Sequence, residues 1–331
     1  MKKFTEKDLK KTPILVLGFN RSFLFNDCVK RLKSNGFKNI WVSIDGPRNG
    51  NREDIKNNKE IKDYCNQNNI DKSKMLFSEK NNGCRKGVIN GITWFFKNNK
   101  KGIIVEDDIE IDNEYLKKIS YLLNKFENDK EIFSISSYSE CNDIKLSSNL
   151  KNNLNFFKSP LCRVWGWATW NDRWEKHLFI SNKYISKNPI SCFFSLPYKF
   201  RTSNTALRLA FCKSGKIDTW DYELNFSHIY SNSFSITPMG LFSLNYGFGP
   251  EATHTKYGDM PWLNMDNYSF QDKNSIKFIN LNTNAIKKIG KATGFDYGGN
   301  SILEFIKLII NMLKIKINYY LKRFIIEINK T

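Results

Sequence analysis

The sequence has no hydrophobic run of transmembrane length, because no stretch of about 20 residues is both apolar and uncharged. Its first residues, MKKFTEKDLKKTPILVLGF, combine a short apolar segment with too many charges for a signal peptide. The seven cysteines are dispersed, with no CxxC pair and no zinc-finger spacing, so neither a disulfide framework nor a cysteine metal site is expected. These absences predict a protein of the reducing cytoplasm.

Negative charge is also in short supply. The chain has 52 Lys and Arg against 33 Asp and Glu, a formal net charge of +19. Such an excess is compatible with nucleic acid, anionic lipid or a phosphate-bearing small molecule as partner, and scattered lysines are equally typical of a solvated surface. No nucleic-acid-binding module and no basic stripe is present, so nucleic acid is not expected as a partner.

Short β-type runs alternate with helical patterns through the first half of the chain. The predicted strands are Pro13–Phe19, Asn39–Gly46, Lys74–Glu79, Gly102–Val105 and Glu131–Ser139, and the predicted helices are Arg21–Asn35, Glu53–Gln67, Cys84–Asn99 and Asn113–Phe126. This alternation predicts an α/β fold whose mostly parallel sheet has helices on both faces. In such sheets, ligands bind beyond the carboxyl ends of the strands.

The second half is rich in aromatic residues and less regular. We expect a main domain over residues 1–260, an irregular, polar connecting segment over 261–300, and a basic amphipathic helix over 301–331. In the C-terminal helix, polar residues recur three or four positions apart and leave a broad apolar face. Two interpretations remain open: the helix lies in a membrane interface with its lysines on anionic headgroups, or it packs on the domain or on a second subunit.

Three consecutive acids, Glu106, Asp107 and Asp108, follow the apolar run Ile103–Val105. Adjacent carboxylates repel one another, and they become favourable when a hard cation such as Mg²⁺ or Mn²⁺ lies among them. Such a cation keeps open positions for phosphate oxygens, although acids after a strand also simply favour a helix N-terminus. Arg21 and Asp45 also follow predicted strands, so we expect them to converge with the acids at one edge of the sheet.

Six ordered segments carry a likeness to a known family: TPILVLGFNR, VSIDG, GCRKGVINGITWFF, GIIVEDDIEIDNEYL, WGWATW and WDYELNF. Together they resemble the GT-A-fold nucleotide-sugar glycosyltransferases, and among these N-acetylglucosaminyltransferase I and its bacterial relatives. The likeness spans Thr12–Thr255. It implies a Rossmann-like GT-A fold over residues 1–260 and transfer of a sugar from a UDP-sugar to a hydroxyl of a glycan or lipid-linked glycan. It also implies a divalent metal, Mn²⁺ or Mg²⁺, and inversion at the anomeric carbon.

The resemblance assigns roles position by position. Asp108 would bind the metal, Asp107 the ribose and Glu106 the donor sugar, while Asp45 would bind the base. The residues placed beside the nucleotide-sugar are Asn20, Arg21, Trp165, Gly166 and Trp167. The dense tryptophans are equally typical of a core, and we expect one or two to contact ligand.

The remaining predicted site residues would bind the diphosphate, act as the general base or bind the metal. Arg85 and Lys86 are expected near the diphosphate on the strength of their charge alone. Asp221 is expected to be the general base that accepts the acceptor hydroxyl's proton, with Glu223 as the alternative if the pattern slips by a residue. His254 resembles the late histidine that completes the metal site in some of these enzymes.

Two rival functions have distinct sequence requirements. A sugar nucleotidylyltransferase would need a glycine-rich phosphate loop after the first strand, where this chain has GFNRSF. A non-catalytic, membrane-docked scaffold could retain the same fold. On the enzyme interpretation, the product is expected to be a bacterial surface glycan, such as capsule or lipooligosaccharide, built at the inner face of the cytoplasmic membrane.

Overall fold

A computed structural model of the chain describes residues 6–139, 155–247, 277–278, 283–293 and 295–328. Its helices are α1 (Glu6–Lys11), α2 (Ser22–Ser34), α3 (Arg52–Gln67), α4 (Gly83–Asn98), α5 (Asn113–Lys125), α6 (Asn171–Tyr184), α7 (Pro189–Ser195), α8 (Ser203–Ser214), α9 (Asp221–Tyr230), α10 (Thr283–Thr293) and α11 (Ser301–Ile328). Its strands are β1 (Ile14–Gly18), β2 (Ile40–Ile44), β3 (Met75–Phe77), β4 (Lys101–Glu106), β5 (Ile109–Ile111), β6 (Ile132–Ser136), β7 (Asn155–Ser159), β8 (Trp167–Trp170), β9 (Phe234–Pro238), β10 (Ser243–Asn245) and β11 (Lys277–Phe278).

Within these ranges, nine strands form one sheet in the order β11-β7-β9-β6-β8-β4-β1-β2-β3. The half made of β4, β1, β2 and β3 is parallel throughout. In the other half, β8 runs antiparallel to both of its neighbours, and β7 runs antiparallel to β9. The predicted fold class is therefore confirmed: a mixed, mostly parallel, Rossmann-like α/β sheet flanked by helices, followed by a C-terminal helix.

Both faces of the parallel half are buried, and the alternation along β1 shows this directly. Ile14 and Val16 enter one apolar cluster, which includes residues of α2 and α5, while Leu15 and Leu17 enter another that includes residues of α4. Side chains that alternate across a strand can supply two cores only when helices cover both sides of the sheet. A third cluster lies among α6, α7, α8, α9 and α11.

The order of the strands creates a crevice between β1 and β4. The chain proceeds from β1 outward to β2 and β3, and then returns to place β4 on the opposite side of β1. At such a switch point, the connections that leave the carboxyl ends of two adjacent strands diverge, which opens a space for a ligand. Beyond β4 the chain enters β5, which pairs with β10 in a separate antiparallel two-stranded sheet.

The segment 261–300, expected to be irregular, contains regular structure in its described part. β11 extends the large sheet beside β7, and α10 buries Ile289. Ile286 and Ile289 lie three positions apart, so the sequence does carry a short helical pattern here that the prediction of an irregular segment overlooked. In the described part of the chain, no helix has the length and apolar character needed to cross a membrane.

Candidate functional site

The crevice between β1 and β4 holds an ion-paired group of three residues. Arg21 precedes α2, and its guanidinium contacts Asp107 Oδ1 at 2.5 Å and Asp108 Oδ2 at 2.8 Å. The backbone N–H of Asp107 donates to the carbonyl of Leu17 at 2.8 Å, which fixes the acids against the end of β1. Arg21 and the two acids predicted from the ends of separate strands therefore lie in direct contact.

Electrostatic strain is concentrated in this group. Burial works against the Arg21 charge, but the attraction of Asp107 and Asp108 outweighs it and raises the pKa of the guanidinium above its usual range. Burial raises the pKa of Glu106 to about 8, and the neighbouring charges of Asp108 and Asp107 add to that effect. Burial likewise raises the pKa of Asp107 to about 6, against the opposing attraction of Arg21. One guanidinium thus does not neutralise three acids, and the site favours a further positive charge.

The oxygens on the far side of the two aspartates suit a hard cation. Asp107 Oδ2 and Asp108 Oδ1 are buried and have no hydrogen-bond partner within the described residues. Buried carboxylate oxygens are normally paired, so a group of complementary charge fits this location. No set of three or more His, Cys, Asp or Glu side chains able to hold a metal is present in the described part of the chain. Two carboxylates with open positions are nonetheless the donor set that Mg²⁺ uses when phosphates complete its coordination.

The residues after β10 lie directly over Asp108. The Tyr246 N–H donates to the Asp108 carbonyl at 2.8 Å, so the pairing of β5 with β10 continues to the acid. A Cβ at Gly247 would collide with Asp108 Oδ2, so only glycine allows the backbone to come this close. His254, the other predicted metal ligand, lies outside the described residues.

Asp45, at the end of β2, holds the N-terminus of α4. Its carboxylate accepts hydrogen bonds from the backbone N–H groups of Asn82 and Gly83, and from the side-chain amides of Asn81 and Asn82, all at 2.9–3.1 Å. Asp218 completes the cap, because its carboxylate accepts the N–H groups of Cys84 and Arg85 at 2.9 Å. The signal for its cap is the pattern NNG at Asn81–Gly83, which marks a helix start that needs an acceptor.

Arg85 and Glu223, predicted for different roles, form one ion pair, in which Glu223 is buried and Arg85 is partly exposed. Arg85 Nε lies 2.7 Å from Glu223 Oε1, and its Nη2 lies 3.1 Å from Oε2. Ser181 Oγ also donates to Glu223. Burial works against the charge of Glu223, but its hydrogen bonds to Arg85 and Ser181 lower its pKa below the usual range. Lys86, the next residue on α4, is exposed.

Asp221 is the first residue of α9 and is half-buried. Its Oδ1 accepts a hydrogen bond from Thr219 Oγ1 at 2.5 Å. The preceding residue, Trp220, is buried against Trp167 with ring centroids 5.6 Å apart, so Trp167 supports the start of α9 from within the core. The charge of Asp221 also contributes to the raised pKa of Glu106, which places it within electrostatic reach of the acids after β4.

Acidic residues from both halves of the sequence influence the thiol of Cys84. Burial of its thiol is the first cause of its raised pKa, and the charges of Glu106, Asp218, Asp221 and Asp108 reinforce it. Acids carried by β4, by the turn after it and by the start of α9 therefore all act electrostatically on one half-buried position.

An aromatic stack borders the same region. Tyr138 and Trp165 lie parallel with ring centroids 4.8 Å apart, and the Arg163 guanidinium lies 5.4 Å from the Tyr138 centroid. Burial raises the pKa of Tyr138 to about 12, and the charges of Asp221 and Glu106 contribute to this rise. Sequence reasoning had identified Trp165 but not its two neighbours.

Gly166 follows Trp165 of this stack, and both its backbone conformation and the lack of space around it require glycine. Its φ is +76°, and a Cβ would come within 2.5 Å of Ile111 Cδ1 on β5. The Gly166 backbone therefore packs directly against the Ile111 side chain, which any larger residue at position 166 would displace.

The loops after β1 and β2 are joined through a buried acid. Asn20, predicted beside the nucleotide, donates from Nδ2 to Asp54 Oδ1 at 2.8 Å. Arg48 donates to the same carboxylate through its backbone N–H and its guanidinium. The hydrogen bonds from the Arg48 side chain are the main reason that the pKa of Asp54 falls to about 2. Asn20 is thus engaged in the scaffold behind Arg21.

Comparisons with known proteins show a likeness of overall structure and none of sequence. No protein-family model matches the chain. No curated protein matches it in sequence either. Among solved structures, the chain is similar to the mannosyltransferase PcManGT from Pyrobaculum calidifontis, which was determined in complex with GDP-Man and Mn²⁺. The two share 8% sequence identity, the match covers 68% of this chain and 70% of that one, and the TM-score is 0.36. The sugar nucleotide and the metal named there are those of that protein.

Proposed function

We propose that this protein is a glycosyltransferase that moves a sugar from a nucleotide-sugar, a UDP-sugar, to a hydroxyl of a glycan or lipid-linked glycan. The observation that carries the proposal is the Arg21–Asp107–Asp108 group at the switch point between β1 and β4. In open α/β sheets, this is where nucleotides bind. A diphosphate brings negative charge, and the site offers one arginine together with two carboxylates whose remaining oxygens suit a divalent cation.

A divalent cation held by Asp107 and Asp108 would act as a Lewis acid toward the departing nucleoside diphosphate. The chain's own residues provide the rest. Arg21 orients both aspartates, and it adds positive charge beside the phosphates. Glu106, whose raised pKa leaves its carboxyl able to donate a hydrogen bond near neutral pH, is suited to a sugar hydroxyl.

Asp221 is the general base in this proposal. Its carboxylate is half-buried, and its Oδ2 accepts no hydrogen bond from the described residues, so this oxygen is open to an acceptor hydroxyl. Glu223 is unsuited to the task, because Arg85 and Ser181 bind both of its oxygens and its pKa is lowered. A base that takes the proton on the face opposite the leaving group gives inversion at the anomeric carbon.

The acceptor side is assigned to the aromatic stack of Tyr138 and Trp165. The half-buried Trp165 ring offers an apolar surface of the kind that suits the C–H face of a sugar. The charges of Asp221 and Glu106 both contribute to the raised pKa of Tyr138, and this supports the assignment. We assign the product to a bacterial surface glycan, with the enzyme working at the inner face of the cytoplasmic membrane.

The test is a panel of UDP- and GDP-sugars scored by thermal shift and by release of nucleoside diphosphate, with and without Mn²⁺. A bound donor raises the melting temperature by mass action. We expect one UDP-sugar to stabilise the protein and to be turned over only with the metal. Asp108→Asn should reduce turnover at least about a hundredfold, since it weakens both the metal site and the pair with Arg21.

The matched control is Asp63→Asn, which makes the same chemical change at an exposed position on α3. Full turnover in Asp108→Asn, or in excess chelator, would overturn the proposed role of the acids. Diphosphate formed from a nucleoside triphosphate and a sugar phosphate would indicate a nucleotidylyltransferase instead. A protein that turns over no donor while keeping its cellular role would be a scaffold.

A further inference from the structure

We infer that α11 docks the protein onto an anionic membrane surface through the apolar face that it turns away from the domain. This inference stands apart from the proposed activity, because it rests on residues of α11 and not on the crevice between β1 and β4. Its first premise is that one side of α11 is already used. Leu308 is buried, Phe305 contacts Phe193 with ring centroids 5.4 Å apart, and the side chains of Glu304 and Asn311 hydrogen-bond to Ser203.

The opposite side of α11 is apolar and exposed. At 100° per residue, seven side chains lie around the direction opposite Leu308. Each is between 44% and 72% exposed: Ile302, Leu303, Ile306, Ile310, Leu313, Ile317 and Leu321. Single exposed apolar residues are ordinary on a protein surface, but a continuous stripe of this length marks an interaction site.

The helix also extends beyond the body that it packs against. Every residue from Leu313 to Lys322 is exposed, whichever way its side chain points. At 1.5 Å per residue, this stretch is about 15 Å long. A helix that only covered the domain would have no reason to continue with exposed Ile315, Tyr319 and Tyr320 on its remaining sides.

The charges on α11 indicate which kind of partner covers its apolar face. Between Ile302 and Lys322 the exposed charged residues are Lys307, Lys314, Lys316 and Lys322. Glu304, the acid of this stretch, accepts a hydrogen bond from the Ser203 N–H of the domain and pairs with Lys307, so the charges of Lys314, Lys316 and Lys322 are not matched within the stretch. Lys314 and Lys316 flank the apolar stripe on its two sides. Pairing with a second copy would bring lysines against lysines with no exposed acid to match them. An anionic bilayer accepts both features, because the stripe enters the acyl boundary while the lysines contact the headgroups.

The depth of insertion follows from the same pattern. α11 lies along the surface and does not cross it, since no described helix has the apolar character of a membrane span. Leu308 and Asn311 hold the other side of the helix to α7 and α8, so the domain stays attached above the headgroups.

The experiment is co-sedimentation of the full chain with vesicles of phosphatidylcholine alone, or with about 30% phosphatidylglycerol added. We expect binding to the anionic vesicles only, and weaker binding as salt is raised. The triple variant Ile306→Ser, Ile310→Ser, Leu313→Ser should reduce binding at least tenfold. Its control is Ile55→Ser with Phe179→Ser, which removes equally exposed apolar side chains from α3 and α6 and should leave binding unchanged.

A second variant tests charge separately from apolar area. Lys314→Gln with Lys316→Gln should weaken binding roughly fivefold per lysine, whereas Lys97→Gln with Lys100→Gln, also exposed, should change it little. Equal binding of wild type and both α11 variants to the anionic vesicles would overturn the inference. So would a concentration-dependent dimer that the triple variant abolishes, found together with an absence of lipid binding, because a second copy would then cover the stripe. Donor turnover, measured without lipid, is expected to be the same in all these variants.

Discussion

Replacing Glu106 by glutamine should stabilise the protein while impairing transfer. Burial and the charges of Asp108 and Asp107 raise the pKa of Glu106 to about 8. A carboxyl whose pKa is higher in the folded state contributes stability below its unfolded pKa and loses that contribution as the pH rises through the folded value. The wild type should therefore lose stability between the ordinary glutamate range and about pH 8, whereas the Glu106→Gln variant lacks this titration.

The magnitude follows from the separation of the two pKa values. A rise from 4.5 to about 8 corresponds to a few kcal/mol at a pH above both. Between about pH 6 and about pH 9, the stability advantage of the variant should grow by on the order of 2 kcal/mol. For a chain of this size, that is a widening of roughly 3 °C in the difference between melting temperatures.

Thermal unfolding in the absence of divalent metal, followed by circular dichroism across this pH range, provides the measurement. Glu175→Gln, at an exposed position of α6, is the matched control and should follow the wild type. Glu106→Gln should also slow donor turnover, since the neutral amide keeps the shape but cannot reproduce both protonation states. A variant that is less stable than the wild type at every pH, or whose advantage does not change with pH, would refute the electrostatic reasoning.

Three further substitutions test the scaffold of the site by denaturant unfolding. Gly166→Ala should cost at least about 2 kcal/mol more than Gly215→Ala, because both have φ of +76° but only the first would crowd a neighbouring side chain. Asp54→Asn should lower the free energy of unfolding by about 2 kcal/mol near neutral pH. The difference from the wild type should shrink as the pH falls from the ordinary aspartate range toward 2, because Asp54 of the wild type then becomes protonated as well. Glu223→Gln should cost roughly 3–5 kcal/mol by leaving the Arg85 charge unpaired, and a double variant with Arg85→Met should recover much of that loss; additive losses would contradict the pairing.

The parallel half of the fold was predictable from the sequence because its strands are buried on both faces. Such strands appear as short apolar runs, and the runs at Pro13–Phe19 and Asn39–Gly46 contain β1 and β2. The helices between them carry regular apolar spacing, and the predicted Glu53–Gln67 matches α3 to within one residue at its start. The meeting of Arg21 with the acids after β4 followed from the topological rule, since adjacent parallel strands end at the same edge.

What the sequence did not reveal depends on contacts between distant positions. The pairing of Arg85 with Glu223 joins residues 138 positions apart, and no local pattern records it. Trp167–Trp170 resembles part of an aromatic loop, yet it forms the antiparallel strand β8, because pairing with β4 and β6 satisfies its backbone. Asp45 likewise resembled a free ligand-binding acid, whereas the donors that engage it come from Asn81–Gly83, more than thirty residues later.

Asp218 and Glu223 lie on either side of Asp221 in the sequence, and both bind the first turn of α4. The position of Asp221 is therefore difficult to change without also disturbing α4. Asp218 accepts hydrogen bonds from backbone amides at the start of α4, while Glu223 binds the side chain of Arg85 in the same turn. Any displacement of Asp221 relative to α4 must therefore break two independent anchors at once. For Asp221, the proposed general base, the position relative to α4 is in this sense built in by the fold. Variation in acceptor choice would then come most readily from the aromatic stack, whose rings can be exchanged without loosening either anchor.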